Sequence, residues 1–180
     1  MIFEEDIIYE SVITTKNNNG TLNTSLIGVI NNNNHIQLKL YSNKTLKNIL
    51  KNKEFILGLT TDPLLLTRIV LKKLNITDYQ KIKNNDCINM PLLLKLKMEC
   101  YTQKEEIHII TAKIVETIQN KPEIPIINRA TNKIVELLVD YTRLTNKEVY
   151  INKIDDNERI ILKTGNKKHK IALELIKKSI

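Results

Sequence analysis

The stretch TTKNNNGTLNTSLIGV, residues 14–29, decides how the rest of the chain reads. Its asparagine run ends at Gly20, a residue that enters a tight turn without steric penalty, and β-branched and apolar residues lie on both sides. A hairpin is expected, with one strand over residues 8–16 and the other across TLNTSLIGVI. A second asparagine turn, NNNN at 31–34, leads into HIQLKLY, where Ile36, Leu38 and Leu40 alternate with Gln37 and Lys39. Three strands therefore meander, and Thr15, Asn23 and Ser25 fall on paired strands around the first turn.

Beyond the meander, LYSNKTLKNIL at 40–50 opens a short helix over Thr45 to Lys53, with Ser42 or Thr45 as its cap. EFILGLTT returns as a strand, and DPLLLTRIVLKK reads as a helix capped by Asp62 with Pro63 at its first position, where the missing N–H costs nothing. In PLLLKLKMECY, Leu92, Leu94, Leu96 and Met98 alternate, which favours a strand over a short apolar helix. EEIHIITAKIVETIQ is a longer strand, with Ile107, Ile109, Thr111, Lys113 and Val115 on one face and His108, Ile110, Ala112 and Ile114 on the other. Two largely apolar faces suit a barrel wall or a dimer contact. Pro122 and Pro125 mark a boundary, after which Ala130, Ile134, Leu137 or Leu138, Tyr141 and Leu144 form one helical stripe. Residues 147–163 fit no single pattern, and KKHKIALELIKKSI closes the chain as a basic amphipathic helix.

A chain of 180 residues holds one domain, with or without a small appendage. No apolar run reaches the roughly 18–20 residues that span a bilayer, and MIFEEDIIYE carries acids where a secretory leader carries a positive charge. The expectation is a soluble, cytoplasmic protein. Cys87 and Cys100 form no CxxC pair and His35, His108 and His169 are scattered, so free buried thiols are expected and no metal. The net charge of +8 is concentrated: Arg159 to Ile180 sets seven cations against Glu174, and Lys39 to Lys53 contains no acid. A basic nucleic-acid-binding module is an alternative reading, opposed by the lack of tryptophan, the dispersed tyrosines and the absence of an RRM or KH signature. No catalytic triad, acid–base pair or GxGxxG fingerprint is present.

Two motifs carry candidate chemistry. At YSNKTLKN a helix start points free N–H groups outward, and Ser42, Lys44, Thr45 and Asn48 offer the donors that complete a phosphate cradle. A capped surface helix needs only one of them. Around the first turn, Thr15, Asn23 and Ser25 make a polar strip suited to the edge of a flat heteroaromatic ligand, although threonine is also common in strands for its own sake.

Taken in order, YESVITT, GTLNTSLIGV, SNKTLKN, TTDP and NRATNKIVELLVDYTR resemble the FMN-binding split-barrel, or flavin reductase-like, proteins. More closely they are similar to an archaeal family of uncharacterised proteins numbered 447 among the domains of unknown function. The resemblance runs from Tyr9 to Arg143, some three quarters of the chain. It implies a mainly β fold with α elements: an FMN-binding split β-barrel over residues 1–121, then a C-terminal helical subdomain over 122–180. It further implies noncovalent FMN, often between the subunits of a homodimer. The phosphate is then expected near Ser42, Lys44, Thr45 and Asn48, and the ring against Thr15, Asn23 and Ser25. An FMN-dependent oxidoreductase acting on a small molecule or an electron carrier follows, with a flavin-binding or structural protein without turnover as the alternative. Flavin carries its own redox chemistry, so no catalytic side chain is expected. The chain departs from the pattern at SLIG, where alanine and proline commonly precede the isoleucine, and at Asn43 and Leu46, where glycine and an aromatic residue are usual.

Overall fold

The computed structural model of the chain describes Phe3 and residues 8–120 and 129–180. The boundary expected at Pro122 and Pro125, and Asn128 of the NRATNK motif, lie outside the described residues.

Asparagine sets the turns. Strand β1 (Ile8–Lys16) pairs with β2 (Leu22–Asn32) in one unbroken antiparallel register, from Ile8 opposite Ile30 to Lys16 opposite Leu22. The connection closes through Asn17 N–H to Thr21 O at 2.8 Å, with Gly20 at φ +82°. Between β2 and β3 (His35–Leu40) only Asn33 and Asn34 intervene, both left-handed at φ +49° and +65°. Two left-handed residues give the turn whose twist matches the flanking strands, and asparagine tolerates that backbone better than most residues.

Helix α1 (Lys44–Asn52) follows, ends at left-handed Lys53 and delivers the chain into β4 (Glu54–Leu59). Then come α2 (Pro63–Val70), a 3-10 turn at Ile76–Asp78, a small hairpin of β5 (Tyr79–Ile82) and β6 (Asn85–Ile88), and the long pair β7 (Leu92–Lys104) and β8 (Ile107–Asn120). Three helices complete the described chain: α3 (Arg129–Thr142), α4 (Lys147–Thr164) and α5 (Lys167–Lys177). The β5–β6 hairpin has no counterpart in the sequence reading. Its strands are four residues each, and its turn, Lys83 and Asn84 at φ +49° and +63°, repeats the signature of Asn33–Asn34.

Six antiparallel strands close a barrel in the order β1-β2-β3-β8-β7-β4. Period-2 alternation turns Ile13, Val29, Ile36, Leu38, Phe55, Leu57, Leu94, Leu96 and Ile110 into one core, and α1 adds Leu46 and Ile49 to it. The strand expected at PLLLKLKMECY is β7, and the inward face of β8 is the His108, Ile110, Ala112 face. Register shifts along β7 at Leu93/Leu94, Lys95/Leu96 and Met98/Cys100 supply the bends that barrel closure needs. Two sequence expectations change. The cap of α1 is Asn43 rather than Ser42 or Thr45, and Cys100 is exposed while Cys87 is buried.

The chain forms two compact units, Met1–Thr60 with Ile76–Glu123, and Thr61–Asn75 with Ile124–Ile180. Helix α2 thus packs with α3 and α5, which a single cut at 121/122 does not separate out. Within the second unit, α3 buries Ala130, Ile134, Leu137 and Leu138, the stripe read from the sequence, and Tyr150 Oη donates to the Leu137 carbonyl at 2.8 Å. Residues 147–163 resolve as α4, capped by Asn146. Asp62 caps α2 and pairs with Lys168 at 2.6 Å, while Lys177 pairs with Glu158 at 2.7 Å. Two lysines of the basic C-terminal stretch are therefore neutralised inside the unit. Among the described residues no helix is long and apolar enough to cross a membrane.

His169 sits at the start of α5, its ring 2.9 Å from Thr131 Oγ1, and burial pushes its pKa below the ordinary 6.5, with Lys168 adding to the effect and Asp62 opposing it. A ring that folds in its neutral form contributes stability above the unfolded pKa and loses it as pH falls from 6.5 through the lower folded value. The urea midpoint of the helical unit, followed by circular dichroism, is expected to fall between pH 7.5 and pH 5. His169→Gln should flatten that dependence.

Candidate functional site

The corner where β3 hands over to α1 is built on Asn43. Its backbone is extended at φ −151°, and its side chain accepts the Leu46 N–H at 2.9 Å. Asparagine here replaces the conformational freedom of glycine with a hydrogen-bonding cap. Leu46, standing where an aromatic residue is usual, is buried in the barrel core. The first turn holds no acid, and Ser42, Asn43 and Lys44 are exposed beside it. Backbone N–H groups in a first turn have no intrahelical partner, and the helix dipole contributes about 0.3–1 kcal/mol toward an anion there.

One face of α1 points the other way. Thr45, Asn48 and Asn52 are spaced three and four residues apart, so they share a stripe, and that stripe meets the β1–β2 hairpin. Asn48 Nδ2 donates to Thr15 Oγ1 at 3.0 Å and to Asn17 Oδ1 at 2.9 Å. Asn23 Nδ2 donates to Thr45 Oγ1 at 3.0 Å and to Thr15 Oγ1 at 3.3 Å, Ser25 Oγ lies 2.9 Å from Thr45 Oγ1, and Asn52 Nδ2 donates to the Lys16 carbonyl at 2.8 Å. Thr15 accepts twice and donates to the Asn23 carbonyl at 3.4 Å, so its hydroxyl is fully used.

Five of the seven residues singled out from the sequence, Thr15, Asn23, Ser25, Thr45 and Asn48, are thus drawn into one network. Thr15 and Thr45 are each only 2% exposed. Asn23 and Ser25 are half-buried, and the Asn23 side-chain oxygen bonds to no described residue. Ser42 and Lys44 stay outside the network at the exposed helix start. Ser42 turns instead to His108, its Oγ 3.0 Å from Nε2, and His108 Nδ1 lies 2.9 Å from Tyr101 Oη. Sequence reasoning missed His108 and Tyr101. The available signal was that His108 is the polar residue on the otherwise apolar inward face of its strand.

A cleft of about 440 Å3 lies at the opposite end of α1, lined by Thr15, Asn17, Lys51, Asn52, Asn85 and Lys95 among others. Of the seven residues, Thr15 alone lines it. Two of its three lysines are paired with carboxylates, Lys16 with Asp86 at 3.7 Å and Lys95 with Glu54 at 2.8 Å. Among the described residues Ser42 and Lys44 are paired with no carboxylate.

Residues 9–128 match the N-terminal domain of DUF447, a protein of unknown function, and residues 128–178 match a second DUF447 segment. The chain belongs to the DUF447 family. An FMN-bound DUF447 protein from Methanosarcina mazei is similar in structure, with a TM-score of 0.86 over 99% of this chain and 97% of that one, at 21% identity. The styrene monooxygenase flavin reductase of Pseudomonas putida S12 gives 0.54 over 66% and 83% at 11% identity. An FMN-binding protein of Thermus thermophilus with bound p-hydroxybenzaldehyde gives 0.51 over 65% and 75% at 8% identity. These likenesses establish the fold of this DUF447 chain as the flavin reductase-like split barrel followed by C-terminal helices, as the sequence led one to expect.

The network predicts an ordering of stabilities. Asn48→Leu strips donors from Thr15 and Asn17 and is expected to cost about 1–3 kcal/mol. Asn43→Ala removes the cap at about 1 kcal/mol. Lys44→Ala, on the open side of the same helix, should stay within about 0.5 kcal/mol. Urea unfolding of the three variants checks the order.

Proposed function

We propose that this DUF447 chain binds FMN noncovalently, with the phosphate at the start of α1 and the ring along the β1–β2 hairpin. What supports the reading most is the likeness, over nearly the whole chain, to an FMN-bound protein of the same family. The local chemistry fits the group. Ser42, Lys44 and the first-turn N–H groups of α1 suit a phosphate, with no acid in that turn to oppose it. Asn23, half-buried with an uncommitted carbonyl oxygen, and Ser25 suit the polar edge of the ring. Thr15, Thr45 and Asn48 serve by holding that frame rigid through hydrogen bonds to one another and to Asn23 and Ser25.

Bound FMN supplies hydride and one-electron chemistry, so the function follows as a flavin-dependent oxidoreductase acting on a small molecule or an electron carrier. The chain's own part is to bind, orient and shield. We further propose a homodimer with the flavin near the subunit contact; the exposed Ile107 and Val115 on the outer face of β8 favour such a contact.

The purified protein is expected to be yellow through gel filtration and to release FMN on denaturation; a colourless preparation that FMN does not reconstitute removes the proposal. Ser42→Ala combined with Lys44→Ala should weaken FMN by roughly tenfold or more, the scale of lost hydrogen bonds to a charged group. Riboflavin, which lacks the phosphate, should change by less than about twofold. Equal weakening of both ligands refutes the phosphate assignment.

A further inference from the structure

The contacts of Ser42 extend into a chain of hydrogen bonds with a fixed direction. Gln103 Nε2 donates to the Glu105 backbone carbonyl at 2.9 Å, an oxygen that can only accept. The Gln103 side-chain oxygen therefore faces Tyr101 and takes its hydroxyl proton at 3.2 Å. Tyr101 has one proton and has spent it, so its oxygen accepts from His108 Nδ1–H at 2.9 Å. A neutral imidazole carries one N–H, so Nε2 is bare and accepts from the Ser42 hydroxyl at 3.0 Å. In that state Ser42 spends its proton inward and shows lone pairs outward, which repel an anion. Once the ring is protonated, Nε2–H donates to Ser42 Oγ and the Ser42 proton is released to the helix corner.

We propose that the Tyr101–His108–Ser42 relay is a proton-coupled donor switch, so that a phosphate monoester binding at the start of α1 takes up a proton at His108. The proposal rests on the phosphate placement made above and adds to it how the site is regulated. The surroundings of the ring favour such coupling. His108 is 7% exposed, yet its partner Ser42 is open to solvent. The groups that face it are Tyr101 and Gln103 from β7, Leu40 from β3 and Ser42 from the loop, with Lys44 as the cation that follows on α1. Among the described residues no carboxylate bonds to the ring to hold it charged in the absence of an anion. An arriving phosphate supplies the missing negative charge, and histidine is the side chain that changes charge near neutral pH.

Calorimetric titration of the whole protein with FMN at pH 7.5, in two buffers of different ionisation enthalpy, reads the proton directly. The expected result is net proton uptake with FMN, none with riboflavin, and none with FMN in Ser42→Ala or His108→Gln. Ser42 is exposed, so its variant keeps the test valid should the substitution at buried His108 fail to fold. Imidazole NMR with inorganic phosphate at pH 7.5 is the second arm: phosphate should move the His108 ring resonances toward those of the doubly protonated ring in the wild type and leave them unmoved in Ser42→Ala. FMN bound with buffer-independent heat, or with undiminished uptake in Ser42→Ala, overturns the switch while leaving flavin binding intact. No FMN binding together with a phosphate-dependent His108 shift removes the flavin and keeps the switch. Neither FMN binding nor a shift removes both.

Discussion

The bond between Thr45 and the β1–β2 hairpin is the constraint on which the barrel end depends. Strand ends that face inward carry polar groups out of water, and each one left without a partner costs about 1–3 kcal/mol. In this chain the inward positions beside the first turn are Thr15, Asn23 and Ser25, none of them apolar. Helix α1 resolves the conflict because Thr45 and Asn48 bring matching groups to them, while Leu46 and Ile49, one position on from each, continue the apolar core. The same two turns of helix thus partner the Thr15 and Ser25 hydroxyls and the Asn23 side-chain N–H groups and complete the packing of the barrel, leaving the Asn23 side-chain oxygen open. Remove the polar stripe and α1 retains its apolar contacts but loses the register that sets its first turn.

That register explains why neighbouring residues of one motif part company. In YSNKTLKN, Ser42 and Lys44 are two positions apart, and Thr45 comes directly after; helical geometry rotates each residue by about 100°. Thr45 is carried under the helix and Lys44 is left in solvent. The motif looks like one phosphate cradle on paper, and in space it divides into a buried anchor and an open corner.

The fold was largely legible because its signals are local. Asparagine pairs marked the turns, alternation marked β3, β7 and β8, and Asp62–Pro63 marked the start of α2. The β5–β6 hairpin was not legible: YQKI and NDCI are too short and too polar to alternate visibly, and of their eight residues only Cys87 and Ile88 are buried. Helix α4 gave a weak pattern because only Tyr150, Ile154 and Ile161 of its eighteen residues are buried, too sparse a stripe to stand out from polar surroundings. The site was half legible. Residue types suited to the ligand could be picked out, but which hydroxyls are consumed by the protein depends on a helix meeting a hairpin more than twenty residues away.

His108 shows the limit of residue types most sharply. The sequence sets it on a strand face with Ile110, Ala112 and Ile114 and shows no partner for it, and the structure buries it. What changes its meaning is the run of contacts that joins the Glu105 carbonyl through Gln103 and Tyr101 to the ring and on to Ser42. With all four bonds made and the ring neutral, the Ser42 proton points inward. The turn between β7 and β8, with Glu105 left-handed at φ +54°, is joined through these contacts to Ser42 at the helix corner, although nothing in the sequence sets the two side by side.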